Sequence, residues 1–275
     1  MLCAQFYQLL ILIKRTFQDM KFIIIGDFRQ LAPVCDTWSG TDYKGSAALF
    51  SLCGGNRVQL TKCRRADDVL FNLCKDISQV DISDFPVTEK TYLNLAYRHS
   101  TRIRVNRDCQ IRFLENHTEY LFIPKDDKNK KTQDVMLCVG TPIVCFKTSK
   151  KMDILNSERF TVESWSEETI VITDGDREVE FKVSQFHQYF YLAFCLTVHS
   201  SQGETFTERY TIYDWSFFHF EERARYVALS RATDIKNIQI HQVVSSQKTT
   251  KDSNAWDADW FENEMADPDF YKYNC

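Results

Sequence analysis

The chain has 275 residues, of which 44% are hydrophobic and 26% charged, a balance that excludes a disordered or fibrous protein and allows about two packed domains. No apolar stretch approaches the ~20 residues of a membrane span, and Met1 to Arg15 has neither a basic leader nor a small-residue cleavage site. The net charge of −4 taken alone argues against a nucleic-acid partner, but Lys251 to Cys275 carry seven acids and two lysines, which leaves the rest of the chain at +1 and makes bulk charge uninformative.

Residues 1–20 read as an amphipathic helix, with Phe6, Leu9, Leu10, Ile13 and Phe17 near helical spacing. Lys21 to Ile25 is a short β-branched run, expected as a buried parallel strand. It ends in Gly26-Asp27 and a polar loop through Pro33, and ligands of open α/β sheets gather where strands end. Asn56 to Arg65 predicts another short strand and turn, and Ala66 to Ile77 a helix. The polar, proline-bearing stretch Asp81 to Lys90 places a domain boundary after residue 82. A second α/β pattern follows, with strand Tyr92–Ala96, helix Ser100–Leu114, a charged loop Lys125–Lys131 and strand Val135–Cys138.

From Gly140 to Val183 short polar and apolar runs alternate, and Asp174-Gly175 between two of them signals a hairpin. Residues 139–188 are therefore expected to form a small antiparallel β module inserted into an α/β domain spanning 83–250. The α/β pattern resumes with strand Tyr191–Val198, a helix near Phe220–Leu229 and a last strand Ile238–His241. Residues 251–275 form an acidic, aromatic tail, read as solvated, with a partner-binding or autoinhibitory segment as the alternative.

Four short segments carry chemistry. Gly26-Asp27-Phe28-Arg29-Gln30-Leu31-Ala32-Pro33-Val34 follows the first strand, where a glutamine can touch a γ-phosphate or its attacking water; the alternative is an ordinary turn capped by Asp27. Leu60-Thr61-Lys62-Cys63-Arg64-Arg65 offers an arginine that can neutralise charge on a transferring phosphate, and by itself reads equally as a solvated basic turn. Thr197-Val198-His199-Ser200-Ser201-Gln202-Gly203-Glu204-Thr205-Phe206 places hydroxyls and a histidine suited to sugar–phosphate contacts beside a glycine that lets backbone approach a ligand. Tyr226-Val227-Ala228-Leu229-Ser230-Arg231-Ala232 is an apolar run ending in one arginine, which suits a rigidly held arginine finger or a basic helix end.

In this order the four segments resemble motifs III, IV, V and VI of superfamily 1 DNA helicases. The GDFRQLAPV and HSSQG forms are most similar to the superfamily 1B branch of RecD-like and PIF-type helicases. The resemblance covers nearly all of residues 1–241. It implies an α/β fold: part of a first RecA-like domain over 1–82, then a second RecA-like domain with an inserted SH3-like β-barrel. It also implies roles. Gln30 senses the γ-phosphate, and Arg65 and Arg231 contact phosphates from the two sides of the cleft. Asp27, Arg64, Gly203 and Glu204 lie near the ATP, and Thr197, His199, Ser200 and Asn106 lie along the nucleic acid. Many relatives carry an aromatic that stacks on adenine where this chain has Arg64, and a guanidinium can also stack.

Other expected features are missing. A phosphate-binding loop needs G-x-x-x-x-G-K-[ST], and none of the eight glycines is followed by lysine. No Asp-Glu dipeptide supplies the metal-binding acid and base of motif II. The ten cysteines form no Cys-x-x-Cys pair, so no metal site is expected, and they read as small buried hydrophobes of a reducing compartment. In the family an Asp-Glu-[Ile/Val]-Ser-Met sequence precedes a helix like Leu2–Phe17, so the expectation is a fragment, a truncated gene product or a split protein that begins just after motif II. The activity expected is that of a helicase which, completed by an N-terminal P-loop half with ATP and Mg2+, couples hydrolysis to 5′-to-3′ translocation on single-stranded DNA. This chain alone would bind no cofactor and be inactive. It is expected to be a monomer, intracellular in the cytoplasm or nucleus or of viral origin, away from membranes, with RNA as the alternative strand. The competing reading is a non-catalytic single-strand-binding or helicase-regulating module.

Overall fold

The computed structural model describes residues 4–31, 44–220 and 222–242, which fall into two units that divide after Lys62. In the first unit, helix α1 (Ala4–Thr16) buries Tyr7 and packs Leu10 and Ile11 toward Leu49 and Leu52 of α2 (Ala47–Leu52). This is not the face expected from spacing: Phe6, Leu9 and Phe17 are exposed. The last turn of α1 is closed by the Lys14 ammonium, which donates to the Gln18 and Met20 carbonyls at 2.9 and 2.6 Å.

The strand expected at Lys21–Ile25 is not formed among the described residues. Phe22 and Ile24 pack against the α1–α2 cluster, whereas Ile23 and Ile25 are 90% and 89% exposed. The alternation is that of a strand, but a ladder needs a neighbouring backbone and none is described beside it. Asn56–Arg65 is likewise without strand structure, and Val58 and Leu60 are exposed.

The second unit starts at Cys63. Helix α3 (Asp68–Leu73) is shorter than the Ala66–Ile77 expected, because Asp76 and Asp81 bond the amides of Ser78 and Ser83 and start separate 3₁₀ turns. Asp67 caps α3 through Leu70 N at 2.8 Å, and its second oxygen accepts from Ile235 N at 2.7 Å. Residues 63–82, placed before the expected boundary, thus bond to the far end of the second unit.

The elements that follow are β1 (Asn94–Ala96), α4 (His99–Leu114), β2 (Leu121–Ile123), β3 (Val135–Leu137), β4 (Pro142–Cys145), β5 (Arg159–Trp165), β6 (Thr169–Thr173), β7 (Glu178–Lys182), α5 (Phe186–Tyr189), β8 (Phe190–Leu192), β9 (Cys195–Thr197), β10 (Tyr210–Ile212), α6 (Glu222–Leu229) and β11 (Ile238–Ile240). Four strands form an all-parallel sheet in the order β11-β10-β1-β9. Strands β2 and β3 form an antiparallel ribbon, and five more form an antiparallel sheet in the order β7-β6-β5-β4-β8. The β6–β7 hairpin turns at Asp174–Arg177, where Gly175 takes φ 98°, a conformation that favours glycine.

The apolar run expected as one strand, Tyr191–Val198, serves two sheets. Leu192 pairs with Ile143 in the antiparallel sheet, and three residues later Cys195 pairs with Asn94 in the parallel one. Between them Ala193 N donates to Pro142 O and Phe194 O accepts from Asn94 Nδ2, each at 2.9 Å. One continuous core joins the two: Val105 and Cys109 of α4, Val135 and Leu137 of β3, and Ile143, Phe160, Ile170, Phe186 and Phe190 of the antiparallel module belong to a single cluster. Burying each large side chain contributes about 2–3 kcal/mol. Five of the seven described cysteines are buried and the other two half-buried, as expected of small hydrophobes.

Asn106 ties α4 to β9. It is fully buried, its amide donates to Cys195 O at 3.0 Å, and its carbonyl accepts from Cys195 N at 2.8 Å. With both ends committed inside the fold it cannot touch a bound strand, which corrects its expected place among the nucleic-acid contacts. Asn106→Ala should cost about 3 kcal/mol, because Cys195 keeps a buried donor and acceptor without partners. Urea unfolding followed by circular dichroism measures this, and an unchanged midpoint would refute the tether.

Candidate functional site

The loop after β9 is built by its own hydroxyls. Ser200 N donates to Thr197 Oγ1 at 3.1 Å, and Ser200 Oγ donates to Thr197 O at 3.0 Å. Ser201 N returns to Thr197 O at 3.0 Å, and Glu204 N to Ser201 O at 3.0 Å. Gly203 takes φ 101°, which a β-carbon would strain, although nothing lies within 4 Å of the space one would fill. The glycine is therefore required by the turn. Thr197 is buried and shapes the loop, while His199 is exposed at its tip.

Arg231, just past α6, reaches back into this loop. It is 1% exposed. Its Nη1 donates to Ser201 O at 3.3 Å and Glu204 O at 3.1 Å, its Nε to Val227 O at 3.0 Å, and its Nη2 to Ser230 Oγ at 2.9 Å. Arg65 lies beside it, exposed, with Nη1 donating to Ser230 O at 3.1 Å. Among the described residues neither guanidinium has an ion-pair partner. Burial lowers the pKa of Arg231, and the neighbouring Arg65 lowers it further. Two cations held together on neutral oxygens make a place where an added anion gains energy.

The structure therefore brings together Arg65, Arg231, Ser230, Gly203 and Glu204, with Arg64 exposed next in the chain. Gln30 and Asp27 belong to the first unit. There Asp27 Oδ1 accepts from Arg29 N at 3.0 Å and Arg29 Nε at 3.3 Å, and Gln30 N donates to Asp27 O at 3.2 Å. Ala32, Pro33 and Val34 of that segment lie outside the described residues, as do residues 251–275.

A second cluster lies at the carboxyl ends of β1 and β9. Tyr97 faces His199, with ring centroids 6.1 Å apart. In the first turn of α4, His99 and Arg102 share a face. Arg102 is 4% exposed, donates through Nη2 to Lys131 O at 2.7 Å, and lies over the Tyr191 ring at 4.7 Å. Its Nε and the Nδ1 of His99 are buried without a hydrogen-bond partner. The pKa of His99 lies well below the usual imidazole value, through burial first and then through Arg102, Lys131 and His199. The carboxylate at this edge, Asp214, is engaged by Arg98 N and Nη2, each at 3.1 Å, and by Thr101 Oγ1 at 2.8 Å. Sequence reasoning did not single out His99, Arg102 and Lys131. The one local signal was a basic pair, Arg98-His99, directly after an apolar strand.

Residues 107–238 match the viral superfamily 1 RNA helicase core domain. No curated protein matches the chain. Among solved structures, the fold resembles a Pif1 helicase studied for DNA unwinding at forked duplexes, at 20% identity over 79% of this chain and 55% of that one, with a TM-score of 0.54. It also resembles the Bacteroides Pif1 helicase in complex with ADP-AlF3 and single-stranded DNA, at 18% identity, 88% and 66% coverage and a TM-score of 0.56. The Candida albicans Pif1 helicase gives 17% identity, 87% and 70% coverage and a TM-score of 0.58. The chain spans 55% and 66% of the first two, less than two thirds of each. It is thus similar in sequence over 107–238 to a viral superfamily 1 RNA helicase core domain, and in fold more widely to Pif1 helicases.

Two expectations follow. Arg231→Ala should destabilise the second unit by about 3 kcal/mol, since it leaves several buried carbonyls unbonded. Arg65→Ala, at an exposed site, should change stability by less than ~0.5 kcal/mol. Chemical denaturation of both variants checks the contrast, and equal losses would refute it. Stability should also fall as pH drops below 6.5, the ordinary histidine value, because the unfolded chain then binds a proton that buried His99 resists. His99→Gln should flatten part of that dependence, as read from urea midpoints at neutral and mildly acidic pH.

Proposed function

We propose that this chain is the motif III-to-VI part of an ATP-dependent superfamily 1B helicase. Completed by a P-loop-bearing N-terminal half, it would couple ATP hydrolysis to 5′-to-3′ translocation on single-stranded DNA. The observation that carries this reading is the convergence of Arg65 and Arg231 on Ser230, beside a loop whose other end carries His199. One segment thus connects a phosphate-sensing pair to a strand-facing edge.

In this reading the residues up to Lys62 contribute to the first RecA-like domain and those from Cys63 onward to the second, with 139–188 an SH3-like insert. ATP with Mg2+ supplies the phosphoryl group when the enzyme is complete. Arg65 meets the phosphates directly, with Arg64 stacking near the base. Arg231 transmits their presence, because its bonds hold the Ser201 and Glu204 carbonyls. Gln30 and Asp27 contribute from the first unit. His199 touches the strand, while Thr197 and Ser200 hold the loop that presents it. The residues present suit one side of a nucleotide only, since no lysine follows a glycine and no Asp-Glu pair is present to hold the metal.

The second reading is a non-catalytic single-strand-binding or helicase-regulating module. It is favoured by the cationic edge, which needs no nucleotide to be formed. On the first reading the purified chain hydrolyses no ATP, with or without DNA, and a separately supplied P-loop half restores turnover. Robust DNA-stimulated hydrolysis by the chain alone would overturn that. Both readings expect single-strand binding that weakens with salt and falls roughly tenfold in His199→Ala. Fluorescence anisotropy with matched DNA and RNA oligonucleotides measures this and distinguishes the two strand types.

A further inference from the structure

Each strand of the parallel sheet is followed at its carboxyl end by a ring. Tyr97 follows Ala96 of β1, Tyr213 follows Ile212 of β10 and His241 follows Ile240 of β11, while His199 stands two residues past Thr197 of β9. The strands run parallel in the order β11-β10-β1-β9, so the four residues arrive on one edge. From β9 to β11 is three strand spacings, about 15 Å at ~4.8 Å each.

The rings meet in two pairs. Tyr97 faces His199 with centroids 6.1 Å apart, and His241 stacks on Tyr213 at 4.8 Å with 23° between the planes. The second pair has no part in the site described above. Backbone bonds hold it in place: Tyr213 N donates to Leu95 O at 2.8 Å and His241 N to Ile212 O at 2.9 Å. Both rings are half-buried, Tyr213 against the core. A fifth ring, Phe217, is 47% exposed, and the Arg98 guanidinium lies over it at 3.8 Å. Phe217 N donates to Asp214 O at 2.9 Å, and Arg98 Nη2 donates to the Asp214 carboxylate. Phe217 is thereby tied to the neighbours of Tyr97 and of Tyr213.

Charge does not select the occupant of this row. Asp214 is engaged by Arg98 and Thr101. Arg104 lies 5.9 Å from the Tyr213 centroid and is 58% exposed, with an exposed Asp108 carboxylate 3.9 Å away. Exposed contacts of that kind are weak and yield to a phosphate. Burial, and then Arg104, lower the pKa of His241, so its ring is neutral near pH 7. Neutral rings held in place at an edge suit a ligand with flat faces. Unpaired bases stack on such rings whatever their sequence, whereas the bases of a duplex are already covered by one another.

We propose that single-stranded nucleic acid crosses the carboxyl ends of all four parallel strands, from the Tyr97–His199 pair to the Tyr213–His241 pair, with bases stacked on His241 and Phe217. The inference rests on the reading of the His199 edge as strand-binding and extends its footprint to β11. At ~3.4 Å per stacked nucleotide the row spans about four nucleotides.

The test titrates the full-length chain into fluorescein-labelled oligothymidylate and into an abasic tract of equal length, which keeps the phosphates and lacks the bases. His241→Ala and Phe217→Ala should each weaken oligothymidylate binding about tenfold and leave the weaker binding of the abasic tract unchanged, and His241→Phe should restore the loss at its position. Unchanged oligothymidylate affinity in either alanine variant, or equal losses on the two tracts, would overturn the proposal. So would a loss that His241→Phe does not restore, since that marks a structural role. If His199→Ala weakens binding and these variants do not, the extended footprint fails and the strand-binding reading stands. If the unaltered chain binds neither tract, both fail.

Discussion

A buried guanidinium with no ion-pair partner among the described residues holds the second unit's loops in place. Arg231 spans from Val227 in α6 to the Ser201 and Glu204 carbonyls after β9, and its own carbonyl accepts from Phe206 N at 2.8 Å. A charge taken out of water this far is costly unless hydrogen bonds replace its hydration. Here carbonyl and hydroxyl oxygens do so, and among the described residues no carboxylate forms an ion pair with it. That remaining field, doubled by Arg65, is what an incoming phosphate would meet. The same bonds make the loop after β9 sensitive to anything that pulls on Arg231.

The opposite end of that loop leads to the carboxyl edge of the parallel sheet. Strands of a parallel sheet place their following loops on one edge, so residues remote in sequence arrive there together. Tyr97, His99, His199 and Asp214 do so from three strands. Asp214 sits at φ 60° and bonds Arg98 and Thr101, fixing the start of α4 beside β10. The edge therefore keeps its shape without a ligand, which lowers the ordering cost of binding one.

The antiparallel module is not a loose insertion. Its Phe186, Phe190 and Ile143 share a core with α4 and β3, and the single run from Phe190 to Thr197 crosses from one sheet to the other. Such a crossing makes the module and the parallel sheet mechanically continuous, since separating them would expose that core. Arg102 of α4 lies over Tyr191 of β8 and so joins the two.

Much of this was legible in the residues themselves. Residue patterns located α4, α6, β1 and the β6–β7 hairpin; β6 and β7 bury alternate residues, so their period of two records one buried face, whereas β1 is an apolar run buried throughout. Ordered short segments pointed to Arg65, Gly203 and Arg231 as parts of one site, since unusual residues in a set order mark chemistry more than packing. Other features needed the tertiary structure. The stretch 191–198 reads as one strand because apolar continuity does not say which sheet a residue joins. Strand β10 was not anticipated. Asn106 looked like a surface contact, but only the arrival of Cys195 beside it turns its amide into an internal tether. His99, Arg102 and Lys131 carry no motif, and they become a cluster because α4, the β2–β3 connection and the loop after β9 meet in space. Local pattern encodes which face of an element is apolar. It does not encode which distant backbone will satisfy a buried polar group, and in this protein those long-range bonds decide where the cations stand.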